Sequence, residues 1–409
     1  MRESVQPEDA KAVAEAVQWA LSARKTLDVA GRASKRAVGR PIQTDLTLDL
    51  SAMTGVTLYE PEELVLSARA ATPLAEIEAL LDSKGQQLAF EPMDCGPILG
   101  GAKGAATIGG TLAANLSGPR RITAGAARDH FLGFVAVSGR GEIFKSGGRV
   151  VKNVTGYDLC KLMAGSWGTL AAMTEITIKT LPKPENEHTV LIHGLEPADA
   201  VAAMTAAMGS GCDVSGAAHW PAWAAARAPV AEVAQSGAAV TALRLEGFAA
   251  SVAHRKQMLQ ALLRRFGQLG DADAEPSRAL WQAVRNAAPF TSDHDGSALP
   301  LWRLSVPASR GGDVAAQFTD QADCRMLLDW AGGLIWLAID RRDAGASMVR
   351  RALDAAGGHA TLMRAEPAVR AAVEVFSSQD PGVAALTKRV KESFDPLGVL
   401  NPGRMWVGV

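Results

Sequence analysis

Cysteine is scarce in this chain of 409 residues. Its four copies, Cys95, Cys160, Cys212 and Cys324, stand far apart and never as Cys-x-x-Cys. An iron–sulfur cluster needs clustered thiolates, so none is expected here, and a disulfide framework is equally unexpected. An excess of one charge is also missing. The formal net charge is −1, which leaves no electrostatic footprint for nucleic acid or an anionic membrane. No apolar run reaches the length of a membrane span. Met1 to Glu15 is charged and lacks the apolar core of a signal peptide. The expected location is therefore cytoplasmic, with any attachment at the inner membrane made through partners. The dinucleotide fingerprint Gly-x-Gly-x-x-Gly is absent as well. After Gly31-Arg32-Ala33-Ser34-Lys35 come Pro41 and a strand, where that motif requires a helix. The seven histidines (His130, His188, His193, His219, His254, His294 and His359) show no metal-ligand spacing, so no metal is expected.

The chain does have ample apolar residues, 48% of the total, and enough length for two domains. Apolar residues Val13, Val17, Ala20 and Leu21 fall at helical spacing in 7–24. Leu46, Leu48 and Leu50 alternate with polar residues, as in a half-buried strand. A strand over 64–70 leads to Thr72, read as the cap of a helix with Pro73 at its first position and Gly85 at its end. Residues 131–144 read as a hairpin turning at Gly139-Arg140-Gly141. Pro182 and Pro184 close the strand at 175–181 and mark a domain boundary. Beyond them, strands at 189–194, 239–246, 301–306 and 334–339 alternate with helices near 197–208, 251–266 and 344–356. This pattern suggests an antiparallel sheet covered on one side. A short helix from Lys388 and the turn-rich Phe394–Gly403 end the chain.

Three small-residue segments carry the chemistry. Gly31–Lys35 follows a strand and can aim backbone N–H groups at a diphosphate, with Ser34 and Lys35 adding a hydroxyl and a charge; an ordinary turn is the other reading. Thr107-Ile108-Gly109-Gly110 runs through Asn115 to Ser117-Gly118-Pro119, and a flat ring system could lie against the paired glycines, which let the backbone approach a ligand. Gly156, Asp158, Lys161, Gly168 and Thr169 form a third group, suited to an adenosine or else a connecting loop in which Asp158 and Lys161 pair three apart. Together these loops suggest one large, flat, anionic ligand touched mainly by main chain.

Residues 25–182 resemble the FAD-binding domain of the vanillyl-alcohol-oxidase/p-cresol-methylhydroxylase flavoproteins. Ser117-Gly118-Pro119-Arg120-Arg121, Arg128-Asp129-His130 and Val151-Lys152-Asn153-Val154-Thr155-Gly156-Tyr157-Asp158-Leu159 more narrowly resemble the FAD-binding E subunits of bacterial glycolate oxidases. Phe394-Asp395-Pro396 and Asn401-Pro402-Gly403 are similar to the family's closing segment, while the middle of the chain matches only loosely. The resemblance implies an α+β fold in two parts: a PCMH-type FAD-binding domain over 1–183, a smaller α+β cap over 184–385, and a return to the first domain over 386–409. It implies that Gly31, Arg32, Ala33, Ser34 and Lys35 bind the pyrophosphate, and that Thr107, Gly109 and Gly110 face the isoalloxazine. Asn115, Ser117 and Gly118 would extend that contact, Gly168, Thr169 and Ile176 would lie near the adenosine, and Asn401 would approach the flavin from the tail.

Three departures from the family pattern stand out. Arg32 and Ala33 occupy positions where relatives often have glycine. No histidine stands where some relatives attach flavin covalently, so the FAD is expected to be non-covalent. The cap motif His-x-x-Gly-Asp-Gly-Asn-x-His of larger relatives is also absent.

The implied activity is oxidation of glycolate or a similar 2-hydroxy acid to the 2-oxo acid within a complex. Its implied partners are a larger FAD-bearing subunit and an iron–sulfur subunit that takes the electrons. The alternatives are a self-sufficient D-2-hydroxy-acid dehydrogenase and a cofactor-poor structural subunit. For catalysis, Arg303 in Leu301–Pro307 is the candidate to hold a carboxylate, because a guanidinium pairs with one bidentately; a strand-surface arginine is the plain alternative. His130, beside Arg128-Asp129, has the best site claim among the histidines.

Overall fold

The computed structural model describes residues 3–148, 156–291 and 299–409. Arg149 to Thr155 of the long motif, and His294, lie outside the described residues. The chain forms two units of nearly equal length: Met1–Ser117, Gly125–Lys183 and Ser378–Val409 make the first, and Gly118–Ala124 with Pro184–Ser377 make the second. The short segment Gly118–Ala124 thus belongs with the second unit, and the chain returns to the first at Ser378.

In the first unit, β1 (Ser4–Val5), β2 (Leu27–Ala30) and β3 (Leu46–Asp49) form a small parallel sheet in the order β1-β3-β2. Helix α1 (Ala10–Ala23) begins at Asp9, whose carboxylate accepts from Ala12 N at 2.8 Å. That bond satisfies one of the orphan donors of the first turn. Its buried stripe Val13, Val17 and Ala20 packs in one core with Leu27, Leu48 and Leu50. The strands β4 (Val56–Glu60), β5 (Val65–Arg69), β6 (Gln86–Gln87), β7 (Phe131–Ser138), β8 (Ile143–Gly147), β9 (Ala171–Lys179) and β10 (Leu181–Pro182) follow. Five of them make an antiparallel sheet ordered β4-β5-β9-β7-β8, and β6 pairs with β10. Helices α2 (Leu74–Asp82) and α3 (Ile108–Ala114) contribute Leu74, Ile77, Leu81, Ile108 and Leu112 to a core with Leu66, Phe134, Ile176 and Ile178. Each such side chain contributes about 1.5–3 kcal/mol by leaving water. Thr72 does not cap α2; its hydroxyl donates instead to Arg69 O at 2.6 Å. Pro73 holds the cap position, because its fixed φ sets the helix entry without a side-chain bond.

The last helix of the unit spans Pro381–Phe394, a start well before the expected Lys388. Behind it the chain lies against β2: Leu400 bridges Leu27 in parallel, and Leu27 N donates to Val399 O at 2.8 Å. A buried ion pair fixes this turn. Lys391 Nζ donates to Asp395 Oδ2 (2.6 Å), Thr169 O (2.6 Å) and Leu400 O (3.0 Å). Asp395 in turn accepts from Val399 N and Leu400 N, each at 2.8 Å.

The second unit is built on an eight-stranded, wholly antiparallel sheet. In chain order its strands are β11 (Asn186–His193), β12 (Val214–Trp220), β13 (Val240–Gly247), β14 (Leu269–Ala272), β15 (Leu301–Ser305), β16 (Cys324–Asp329), β17 (Leu334–Ile339) and β18 (His359–Arg364). The spatial order is β14-β11-β13-β12-β16-β17-β15-β18. Every residue of β17 is buried, so both faces of the sheet are covered there rather than one.

His219 of β12 is wholly buried and shares a hydrogen bond between Nδ1 and Thr241 Oγ1 at 3.0 Å. Burial pushes its pKa down to about 3. The unfolded chain therefore takes up this proton first as pH falls below the ordinary histidine value of about 6.5. Stability present above that value is lost progressively between about 6.5 and 3. At pH 5 the share of His219 is a loss of about 2 kcal/mol. His188, His193 and His359 are shifted in the same direction, burial being the largest cause for each. Urea midpoints compared at pH 7.5 and pH 5 should fall steeply in the native chain and less in His219→Gln. Equal slopes in the two proteins would refute the assignment.

Candidate functional site

One cleft in the first unit encloses about 750 Å³ of atom-free space, part of it open to solvent. Its walls come from the C-terminal end of β2 with the loop after it (Asp28 to Arg36), the start of α3, and the Trp167-Gly168 turn. Of the residues singled out from sequence, Gly31, Arg32, Ala33, Ser34, Lys35, Thr107, Gly109, Gly110 and Gly168 line it together. Asp28, Trp167, Met173 and Arg404 line it too and escaped the sequence reading.

Lys35 is the unusual group. Its side chain is buried, and its Nζ has no hydrogen-bond partner among the described residues. Burial lowers its pKa most; Cys95 and Asp94 oppose that shift, and the Arg404 guanidinium adds to it. A lone ammonium out of water costs several kcal/mol unless an anion meets it. The loop around it is tied down. Arg36 pairs with Asp28 at 2.7 Å and donates to Thr47 Oγ1 at 3.0 Å, and Arg404 Nη2 donates to Lys35 O at 2.9 Å. Ala33 takes a left-handed φ of 54°, a conformation that costs a residue with a Cβ about 1–2 kcal/mol.

The paired glycines divide their work. A Cβ on Gly109 would fall 2.6 Å from Ala70 O and 2.9 Å from Ala70 Cβ, so this glycine lets α3 approach the end of β5. A Cβ on Gly110 would lie 3.2 Å from Thr107 Oγ1 and 3.7 Å from Lys35 Nζ, toward the cleft. Gly109→Ala should therefore lower the melting temperature, whereas Gly110→Ala should lower it less and impair ligand retention more. A thermal melt and a bound-ligand assay on the two variants separate the roles, and identical behaviour would refute the division.

Other expected site residues serve the frame. The Asn401 carboxamide is fully buried; Oδ1 accepts from Val29 N at 2.8 Å and Nδ2 donates to Trp167 O at 2.9 Å. It thus holds two cleft walls together without lining the cleft. Asn115 Oδ1 accepts from Arg128 N at 3.2 Å, and Ser117 Oγ accepts from Ala127 N at 2.8 Å. Thr169 Oγ1 donates to Ser166 O at 2.8 Å, and Ile176 is a core residue of β9. Asp158 caps the helix Leu159–Met163 and pairs with Lys161 at 3.3 Å. His130 is buried with its ring centroid 5.5 Å from that of Phe90 and does not line the cleft. Gly118 and Arg303 belong to the second unit.

The fold does bring one histidine to two carboxylates that spacing alone keeps apart: His188 lies 3.2 Å from Asp271 and 3.3 Å from Asp273. The two acids face opposite ring nitrogens, and Lys256 already pairs with Asp271 at 2.6 Å. One ion can meet only one of those nitrogens, so the group reads as an ion cluster. Cys95, Cys160, Cys212 and Cys324 form no disulfide, and burial pushes Cys160 up to about 12 and Cys324 up to about 11.

Comparison with known proteins accounts for the cleft. A family model described as an FAD binding domain matches residues 3–147, and one for the C-terminal domain of FAD linked oxidases matches 369–405. The chain is 34% identical to glycolate oxidase subunit GlcE of Escherichia coli over 97% of each chain. The chain belongs to the GlcE family of FAD-linked oxidoreductases. The middle of the chain, loosely matched by motif, is included in that alignment. Glycolate oxidase subunit GlcD of Bacillus subtilis is 32% identical over 37% of this chain and 30% of its own. Among solved structures, 4-ethylphenol oxidase from Gulosibacter chungangensis superposes with a TM-score of 0.72 at 13% identity, covering 99% of this chain and 89% of its own. Substrate-bound p-cresol methylhydroxylase gives 0.71 at 15% identity, covering 99% and 88%. Both are likenesses of fold.

FAD is the cofactor of this family, and the cleft fits it. The buried ammonium of Lys35 calls for an anion, which a diphosphate supplies, and small residues at Gly31, Ala71 and Gly110 leave room beside the main chain. No helix among the described residues is long and apolar enough to cross a membrane.

Proposed function

We propose that this chain is the FAD-binding subunit of a complex that oxidises glycolate, or a similar small 2-hydroxy acid, to the 2-oxo acid and passes the electrons to an iron–sulfur partner. The observation that carries the reading is the unpartnered Lys35 ammonium inside a cleft lined by the Gly31–Lys35 loop and the Thr107–Gly110 turn. In this reading Lys35 and the loop amides hold the pyrophosphate, Thr107 and Gly110 border the ring system, and Gly168 with Trp167 closes the far wall. Asn401 keeps β2 and the Trp167 turn in place from behind, and Arg404, at the cleft wall, holds the Lys35 carbonyl. When bound, FAD supplies the two-electron acceptor, and the protein supplies position and charge. The name of the Escherichia coli relative supports glycolate and a multi-subunit assembly. Four scattered thiols offer no cluster ligands, which supports a separate electron-carrying partner.

An anaerobic visible spectrum of the purified chain, before and after glycolate and then after the partner subunits, tests this. A flavin spectrum that bleaches with glycolate, alone or once the partners are added, is the expected result. Bleaching of the chain alone assigns substrate oxidation to it, and bleaching only with partners assigns it a relay. A colourless folded chain, or a flavin that no 2-hydroxy acid reduces in the full complex, overturns the reading.

A further inference from the structure

The strap Gly118–Ala124 belongs to the second unit, although the residues before and after it belong to the first. Its end forms a single helical turn, Arg121–Ala124, in which no residue is buried. One turn does not persist in water by itself, so its fasteners decide whether it forms. At one end Trp330 Nε1 donates to Gly118 O at 3.0 Å, and the Arg121 guanidinium lies 4.2 Å from the Trp330 ring centroid. Beside it Arg120 grips Glu246 with both prongs of its fork, at 3.0 and 2.8 Å. These two side chains are only 13% and 8% exposed. The turn hangs from Arg120, whose carbonyl accepts from Thr123 N at 3.1 Å and Ala124 N at 2.8 Å.

Glu246 shares its place with a second acid. Glu187 of β11 stands directly opposite it in the antiparallel register, so both carboxylates lie on one face of the sheet. Like charges in that relation repel. Arg244, two residues back along β13, lies on the same face with Nε 3.4 Å from Glu246 Oε2 and its guanidinium 4.7 Å from the Trp281 ring centroid. Gly216 on β12 leaves room for that stack: a Cβ there would fall 2.9 Å from Trp281 and 3.3 Å from Arg244 Nε. The helix Ala274–Arg285 adds neutral donors. Ser277 Oγ donates to Glu187 Oε1 at 2.7 Å, and Trp281 Nε1 donates to Thr189 Oγ1 at 2.8 Å. From the helix Ala249–Leu263, Arg255 turns to backbone instead, donating to Glu246 O at 2.6 Å and Cys212 O at 3.1 Å, with Asp213 3.7 Å away. His188 points to the opposite face, toward Asp271 and Asp273. Glu187 and Glu246 thus face Arg244 and Arg120, and the last of these four charges is carried by the strap.

We propose that this quartet makes the strap a proton-linked latch: Arg120 docks onto two ionised carboxylates, and its release lets the facing pair, Glu187 and Glu246, take up one proton. With Arg120 docked, two negative charges meet two positive ones. With Arg120 withdrawn, two facing carboxylates share Arg244 alone, and such a pair holds a proton between them. The docked cluster already shows the strain. Burial raises the Glu187 carboxyl, and the facing Glu246 adds to the rise against the pull of Arg244 and Arg120. Burial presses on Glu246 too, but Arg244 and Arg120 outweigh it and hold that carboxyl down at about 2. The released state binds more protons than the docked one, so docking is firm at neutral pH and weakens as pH falls, by up to about 10-fold per pH unit for one proton. The latch stands independently of the function proposed above.

Hydrogen–deuterium exchange of the full chain at pH 7.5 and pH 5, corrected for the intrinsic rate at each pH, tests the latch. In native protein the protection of the Arg121–Ala124 amides should fall about 10-fold or more at pH 5, while the helix Pro197–Met208 of the same unit changes much less. Glu246→Gln should strip the strap of protection at both pH values. Glu187→Gln should keep it protected with little response to pH, because Glu246 then has no facing carboxylate with which to share a proton. Equal strap protection in native protein at the two pH values, or a loss no larger than that of the control helix, overturns the proposal. So does the native pH response persisting in Glu187→Gln, or full protection in Glu246→Gln. The control helix reports whether each variant is folded, and the native comparison decides the matter even where a variant fails to fold.

Discussion

Lys35→Met should give a folded protein that has lost most of its FAD. Methionine keeps the length and apolar stem of lysine, and the loop stays anchored by Arg36 to Asp28 and by Arg404 to the Lys35 carbonyl. In the proposed reading, what disappears is one charge-assisted contact to phosphate, worth about 1.5–3 kcal/mol, or roughly 10- to 150-fold in affinity. The same change removes an unpartnered buried charge from the empty protein. The apo form should therefore melt at a higher temperature than native apo protein, while the stabilisation by added FAD shrinks. Opposite shifts in the two melts are a signature that general damage to the fold does not produce. Full flavin content in the variant would remove Lys35 from the cofactor site.

Lys391→Met should be the most destabilising single change in the first unit, by about 3–5 kcal/mol. Lys391 and Asp395 are both nearly inaccessible to water. Removing the ammonium leaves the Asp395 carboxylate buried against two backbone N–H groups, and leaves the carbonyls of Thr169 and Leu400 without their donor. Asp395→Leu strips those two N–H groups of their acceptor. The double variant should cost less than the sum of the two single changes, because neither charge is then left alone. Denaturant midpoints of the three proteins measure this coupling, and strict additivity would refute it. Flavin should be lost in step, since Asn401 and Arg404 hang from the same turn.

Much of the cleft was legible because its ligand-facing parts are local. Gly31–Lys35 and Thr107–Gly110 are short segments whose small residues expose main chain, and that property is written in sequence. Gly109, which lines the cleft, was read from the same small-residue signal. Only the position of Ala70 shows that its missing Cβ makes room for a strand. Asp28, Trp167 and Arg404 carried no local signal, since tertiary packing alone assembles them. In the second unit, β12 (VSGAAHW) and β18 (HATLMR) were missed because neither alternates cleanly. β12 is buried almost throughout and loses the two-residue rhythm of a half-exposed strand, whereas β18, an edge strand with exposed His359, breaks its rhythm at the adjacent Leu362 and Met363. The last helix looked short because Pro381 to Leu386 is exposed throughout, so its first turns carry no buried stripe. Its Asp380 cap, accepting from Gly382 N at 2.8 Å, was the signal available.

The joining of β2 to the tail has a consequence for biosynthesis. Val29 and Asn401 meet across 372 positions of chain, so that wall of the cleft gains its brace only once Asn401 has been translated. A nascent chain arrested ahead of Lys391 should therefore emerge unable to retain FAD. A premature stop that spares every residue of the Gly31 loop would then be as damaging to the holoprotein as a lesion within it.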